Sequence, residues 1–517
     1  MSQNLNDGAI HGNHDRNNDG SATRAVTGDP QRAWRSLVAI ETNERWIAGI
    51  QTRTGLALTA MLAFAALQAD LGTWEAMLAV CTALLASIRP GWRAPVFLIA
   101  TWSTALLTLS FSSSETIEHI DRVIEQTGLQ RGLGVPLAEG MLVFVFALLA
   151  TGLHWTRNHP QAWLSRHPFL VLLLLEITLT LVADQGVVPA EGQVALWAFV
   201  FILMPYIWYV PFAVMDLRAK AGSSLGTQLG ILQPFWSPTY LPFGKGAAFL
   251  RKHLAVNRRE LAITHLKALK LLLWATILTT IRDGLTTIFQ DGLGILSVSG
   301  AIDASLSGAA NAVVLGWTAL VLSTTKFSLQ VAIWAHLFVG IARLAGYRLP
   351  RGSWRPLESR TLIEYFNRFH YYFKELLVDL FFLPTFMRAF RARPRLRIFF
   401  ATFMAAGVGN AVWHFMRDLD LVAQFGIAHA LESFASYAFY SVVLAIGIGI
   451  SQVRANAGFR PGNTIRARLL SFFCVWGFVV CLHVFSDGSR EHTFRQRAFF
   501  LSSLFGVPAW IMPHGLN

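Results

Sequence analysis

Two histidines, His414 and His370, are the residues whose type and position best suit catalysis. His414 lies in the stretch 409–415, at the far end of an apolar run that begins at Ile398. An ionisable side chain at membrane depth is costly and usually has a function. His370 lies upstream in the aromatic-rich stretch 365–374. A neutral imidazole can accept a proton from a hydroxyl and make its oxygen nucleophilic, so the pair suggests general base catalysis.

Asn410 precedes His414 by four residues, so the two share one face of a helix. Its amide could orient the imidazole or donate a hydrogen bond to a developing oxyanion. Other histidines also lie in apolar runs, namely His336, His429 and His483. Each of these, taken alone, is typical of a packed histidine bonded to a neighbouring helix. Residue type therefore does not by itself rank His414 above them.

The composition indicates the secondary structure that carries these residues. The chain has 517 residues, of which 54% are hydrophobic and 14% charged, and its mean hydropathy is +0.45. A soluble protein carries about 25% charged residues. Several apolar runs reach the ~18 residues that cross a bilayer as a helix, so we expect an all-α polytopic membrane protein with about 11–13 membrane segments.

The net charge of +13 does not indicate a nucleic-acid partner, because the basic residues fall in the connections between apolar runs. Under the positive-inside rule their alternation with acidic connections places the N-terminus in the cytoplasm. The three cysteines, Cys81, Cys474 and Cys481, lie inside apolar runs and lack metal-ligand spacing. We therefore expect no metal.

The chain divides into three regions. Residues 1–33 are polar and predict a disordered cytoplasmic tail, and 34–215 hold about six spans separated by charged connections. The third region, 216–517, contains two irregular pieces. The stretch 232–246 has three prolines and two glycines and predicts a re-entrant or interfacial segment. The stretch 361–387 has an apolar stripe and a charged face, which is typical of an interfacial helix.

The stretch 343–390 resembles the core signature of the membrane-bound O-acyltransferase (MBOAT) family. Arg-Leu-Ala-Gly-Tyr-Arg-Leu-Pro at 343–350 is similar to the family's Gly-aromatic-Arg-Leu-Pro turn. The sequence that follows resembles three further elements of the family. They are a Phe-Trp-x-Arg-Trp-His motif, a later Asp and Pro, and a Gly-x-Trp-His-Gly element. The matching positions are Phe366, Arg368, His370, Asp379, Pro384, Trp413 and His414.

The sequence departs from the family pattern at several of these positions. Phe369 replaces the tryptophan before the first histidine, and Val378 replaces the arginine before the aspartate. Phe415 replaces the small residue after the second histidine, and the spacing from Gly409 is one residue longer. Because its ring is bulky, Phe415 is expected to narrow the tunnel at the reacting centre.

The resemblance implies a ring of tilted helices around a central tunnel, with 216–517 as the catalytic core. It implies that His414 is the base that activates the acceptor hydroxyl and that His370 lines the donor side. Asn410, Trp413, Arg368 and Asp379 are then supporting residues.

The resemblance also implies the reactants. The donor would be an acyl-CoA, most specifically acetyl-CoA, or an acyl carrier protein, entering from the cytoplasm. The acceptor would be a hydroxyl of an exported glycan or lipid-linked polymer. The protein would lie in the lipid of a bacterial cytoplasmic membrane. It could act together with an extracytoplasmic partner acyltransferase.

Two other hypotheses remain open at this point. The chain could be a transporter or flippase whose buried polar residues line a permeation path. Those residues would be Lys326, His336, His370, Asp379 and His414. Transporters often contain internal repeats, and the two halves of this sequence show no clear similarity. The chain could also be a catalytically degenerate MBOAT scaffold, which Phe415 would favour.

Overall fold

Helices make up most of the computed structural model. It describes residues 39–110, 114–129, 132–219, 223–237, 243–309, 311–486 and 491–507, so the predicted tail 1–33 lies outside the described residues. The structure is about 80% helical and has no strand in the described ranges. An antiparallel bridge joins Leu254 to Tyr347. The all-α prediction is confirmed.

Eight helices in the described part of the chain are long and apolar enough to cross a bilayer. A ninth arises if Pro90–Ser110 and Glu115–Thr127, bent by 46° relative to each other, form one broken span. The eight are Arg53–Leu71, Gly134–Asn158, Ala190–Trp208, Arg258–Gly292, Ala312–Leu344, Pro394–Arg417, Ala435–Asn456 and Ile465–His483.

Eight or nine spans are fewer than the sequence predicted, and the difference lies in short helices. Thr73–Ile88 has 16 residues and Pro168–Asp184 has 17, whereas an untilted crossing takes about 20. The last predicted segment forms a helix only over Phe494–Leu504 within the described residues. The run 311–344, in contrast, is one unbroken helix of 33 residues. At 1.5 Å per residue it is longer than a bilayer core is thick.

The outer surfaces of the long helices are apolar. Met61 is 67% exposed, Phe144 56% and Phe473 67%. Large apolar side chains repeated around the outside of a helix bundle favour a hydrocarbon surrounding over water. This surface supports a membrane location for the bundle.

The remaining helices are shorter and connect or cover the long ones. One of them, Val378–Phe382, is a π-type turn, and two more such turns, Thr286–Gly292 and Met404–Gly409, lie within the long spans Arg258–Gly292 and Pro394–Arg417. The others are Ile40–Thr42, Glu44–Ile50, Pro90–Trp92, Trp163–Arg166, Val210–Arg218, Leu225–Gly230, Ala247–Lys252, Val298–Leu306, Pro356–Glu358, Leu362–Phe369, Tyr371–Leu377, Leu383–Arg388 and Leu419–Ser433.

The segment 362–388 is a broken helix. His370 interrupts it with a non-helical backbone (φ −142°, ψ 63°) and caps the next helix, Tyr371–Leu377. The amide of Tyr371 donates to the Gly352 carbonyl, and the amide of Trp354 donates to the Arg368 carbonyl. The loop 350–354 therefore fixes the break at which His370 lies.

Candidate functional site

His414 lies just beyond a π-type turn in the span Pro394–Arg417. The turn Met404–Gly409 is followed by the helix Asn410–Arg417, and single π turns inside helices occur frequently at functional sites. Its glycines permit close packing. A Cβ on Gly409 would lie 2.7 Å from the Phe381 ring. Phe381 itself belongs to a second π turn, Val378–Phe382, so the two irregular turns face each other.

The His414 imidazole is surrounded by aromatic and amide groups. Its ring centroid is 4.2 Å from that of Tyr437 and 6.3 Å from that of Phe373. Asn410, one turn earlier, is buried, and its Nδ2 donates to Ser441 Oγ at 3.3 Å. The Asn410 side chain is also within hydrogen-bonding range of Tyr437. The partners of the Asn410 side chain are thus Ser441 and Tyr437, and Tyr437 in turn packs on the His414 imidazole.

The two histidines meet at one aromatic ring. The Phe373 centroid is 5.3 Å from that of His370 and 6.3 Å from that of His414. The two imidazoles are close enough to interact electrostatically. Both are partly exposed, whereas Phe373 is only 8% exposed. The structure therefore brings together the two histidines singled out from the sequence.

The predicted supporting residues divide into two groups. Trp413 belongs to the histidine site, where its ring packs on Trp208 at 4.7 Å and on Phe373 at 5.6 Å. Arg368 instead lies on a separate cavity, where it pairs with Glu364 and stacks on Trp354.

Phe415 and Asp379 both point to partners outside the histidine pair. The Phe415 ring packs on Phe434 at 5.2 Å. The carboxylate of Asp379 lies 2.6 Å from Lys245 Nζ, in a cluster described below.

A large cavity lined by many Lys and Arg side chains, the basic cavity, opens beside this site. Its volume is 3010 Å³, and it is lined by twelve Lys or Arg residues against five Glu residues. The twelve are Lys252, Lys267, Lys270, Arg343, Arg348, Arg351, Arg360, Arg368, Lys374, Arg397, Arg460 and Arg468. A positively charged hollow of this size concentrates anionic ligands.

The basic cavity reaches the elements that carry the histidines but not the histidines themselves. Its wall includes Tyr371, directly after His370, and Ala405 and Ala406 in the π turn before His414. Neither imidazole belongs to that lining. Tyr371, Lys374 and Glu375 face the cavity from Tyr371–Leu377, while Phe373 faces the histidines. This one helix therefore separates the cavity from the histidine pair.

A charge cluster anchors that separating helix. Lys245 Nζ lies 2.9 Å from a Glu375 oxygen and 2.6 Å from an Asp379 oxygen, and Lys374 pairs with Glu375 at 2.6 Å. Burial disfavours the charged form of Lys245, but the two carboxylates outweigh it and raise the pKa of Lys245. Gly244 allows the close approach, because a Cβ there would lie 2.4 Å from that of Leu376.

The irregular stretch 232–246 supplies Lys245 to this charge cluster. Its residues 238–242 lie outside the described residues, and 243–246 form an irregular connection in which the Lys245 amide donates to the Phe243 carbonyl. Sequence reasoning missed Lys245, although a lysine between two glycines in an apolar, proline-rich stretch is a recognisable signal. It also missed Phe373, Tyr437 and Ser441, which carry no distinctive motif.

The other intramembrane histidines have the packing contacts expected of structural residues. His336 bonds through Nδ1 to the Ala332 carbonyl, and His483 lies 3.0 Å from Ser323 Oγ. His429 is exposed and packs beside Phe425. Among the residues that the structure describes, no group of three or more His, Cys, Asp or Glu side chains is placed to hold a metal ion.

Enlarging Gly409 is expected to disturb the site. A Gly409→Ala substitution places a methyl group against the buried Phe381 ring, and such overpacking costs about 1–3 kcal/mol. We expect a lower thermal midpoint in detergent. Gly477→Ala is the matched control, because no heavy atom lies within 4 Å of that added Cβ, and alanine is the better helix former. Equal midpoints for the two variants would contradict the close packing of the π turns.

Comparison with known proteins gives no family assignment. No protein-family model matches the chain, and no curated protein matches it.

Proposed function

We propose that this chain is an integral membrane O-acyltransferase that moves an acyl group from a cytoplasmic thioester to a hydroxyl, with His414 as the general base. The observation that carries the proposal is the meeting of His370 and His414 at Phe373, behind the wall of a basic cavity. The resemblance of 343–415 to the MBOAT signature supports the same assignment.

The proposed reaction begins with the acceptor hydroxyl beside His414. The imidazole takes its proton while the oxygen attacks the thioester carbonyl, forming the ester bond and breaking the carbon–sulfur bond. The departing thiolate then receives the proton from the imidazolium. Proton transfer by a positioned side chain typically contributes about 10² to 10⁴ in rate. Asn410 and Ser441 would act indirectly, by holding Tyr437 against the imidazole ring.

The basic cavity would hold the donor. Coenzyme A carries several phosphate charges, and the excess of Lys and Arg in the cavity lining suits such a ligand. An acetyl thioester is our most specific proposal for the donor, and an acyl carrier protein at the rim is the alternative. To reach His414, the acyl end would have to pass the helix Tyr371–Leu377, so the Phe373 ring would act as the gate.

The acceptor and location are proposed on chemical and topological grounds. His414 lies four residues before Asp418, and in the next helix, Leu419–Ser433, the amide of Ile427 donates to Asp184, which lies in an acidic connection predicted to be outside. We propose an exported glycan or lipid-linked polymer as the acceptor and a bacterial cytoplasmic membrane with the N-terminus inside. In the rival hypothesis the permeation path would run outside the basic cavity, because none of its five predicted residues lines that cavity.

The proposal is tested with the purified wild-type chain in detergent and in liposomes. With acetyl-CoA labelled in the acetyl group and a bacterial envelope polysaccharide fraction, we expect free thiol and labelled ester to form in equal amounts. Solute uptake by the liposomes without thiol release would identify a transporter. Neither activity, with the donor still bound, would identify a scaffold.

A further inference from the structure

A carboxylate of the chain itself lies inside the basic cavity. The two oxygens of Glu41 lie 3.1 and 3.3 Å from Lys270 Nζ, and both side chains are largely buried, at 17% and 15% exposed. Arg351 is close enough to Glu41 to interact electrostatically. Lys267, one turn before Lys270, lines the same cavity. Glu41 thus contacts Lys270 directly and lies within electrostatic range of Arg351.

The neighbouring residues hold Glu41 in this place. Ile40 packs against a small apolar cluster that includes Ile47, Ala262 and Leu266. The short helix Glu44–Ile50 packs along the start of the span Arg258–Gly292. The turn Ile40–Thr42 therefore directs one acidic side chain into the cavity from outside the bundle.

We propose that Glu41 is an internal competitor for the anionic ligand of the basic cavity. This inference rests on the proposed function for the identity of that ligand, a phosphate-bearing thioester. The Glu41 carboxylate takes the position of one phosphate among Lys267, Lys270 and Arg351. The ligand binds only when Glu41 has withdrawn. Its apparent affinity is therefore the intrinsic affinity multiplied by the fraction of molecules in which Glu41 has left the cations.

The test measures binding of inorganic pyrophosphate to the full chain in detergent, as the ligand-dependent rise in thermal midpoint. Glu41→Gln removes the competing charge and keeps the size, so we expect pyrophosphate to bind about tenfold more tightly. Glu44→Gln is the matched control. Glu44 lies three residues along the same segment and pairs with Arg259 at the exposed surface, so its affinity should equal that of wild type. Unchanged or weaker binding in Glu41→Gln would overturn the proposal.

Two further measurements keep the test decisive if Glu41→Gln folds poorly. Lys270→Gln should weaken pyrophosphate binding, since it removes the cation that Glu41 contacts. A nitroxide on Thr42→Cys, with Cys81, Cys474 and Cys481 replaced by serine, should become more mobile when pyrophosphate is added. A label whose mobility stays constant at saturating pyrophosphate would show that Glu41 is structural. Neither readout involves acyl transfer, so loss of the proposed enzyme activity would leave them unaffected.

Discussion

Replacing Lys245 by methionine is expected to destabilise the protein by about 3 kcal/mol, because removing one partner of a buried ion pair leaves uncompensated charge. Lys245 is the cation shared by Glu375 and Asp379, and its side chain is 13% exposed. The figure takes the low end of the usual range because the Asp379 side chain is 25% exposed. Chemical denaturation in detergent, followed by circular dichroism, measures the change.

A matched control and a double variant separate charge from side-chain loss. Lys252→Met removes an exposed lysine seven residues away and should change the free energy of unfolding by less than about 0.5 kcal/mol. Lys245→Met combined with Asp379→Asn restores the charge balance and should recover part of the lost stability. If Lys245→Met and Lys252→Met were equally stable, the cluster would not anchor the helix Tyr371–Leu377.

Replacing His414 by alanine is expected to reduce acyl transfer about 10²- to 10⁴-fold, the usual contribution of a general base. The affinity for the donor should remain near that of wild type, because His414 does not line the basic cavity. The measurement is the steady-state rate of ester formation at several acetyl-CoA concentrations, with the acceptor held at a saturating concentration. A fall in kcat without a matching change in donor KM is the expected pattern.

The control for this prediction is another histidine of the same membrane region. His429 is exposed on the helix Leu419–Ser433 and packs beside Phe425. His429→Ala should retain nearly full activity. That result would show that the loss in His414→Ala is specific to His414 and does not follow from replacing just any histidine in an apolar segment.

The helices were predictable because their apolar runs are long. The run that begins at Ile398 became the span Pro394–Arg417, and the helical spacing of Asn410 and His414 was preserved. The π turn Met404–Gly409 was not predictable, because one extra residue per turn hardly changes an apolar pattern. Fewer helices of the described residues are long enough to cross a bilayer than there are apolar runs in the sequence, because helices such as Pro168–Asp184 are short.

The site was predictable only where residue types were distinctive. His370 and His414 were selected from the sequence, but their common contact with Phe373 depends on how a broken helix packs against a span. Asp379 was predicted as a supporting residue, but its partner Lys245, 134 residues earlier, was not predicted. Glu41 and Lys270 are 229 residues apart. Pairs at such separations leave no local pattern, so only the folded structure shows them.

A single-turnover experiment tests whether His414 removes the proton from the acceptor hydroxyl. Wild type and His414→Ala are saturated with acetyl-CoA, acceptor is added, and thiol release is followed together with donor affinity. We expect equal donor affinity and thiol release at least about 100-fold slower in the variant. Release within about threefold of the wild-type rate, at the same donor occupancy, would contradict it.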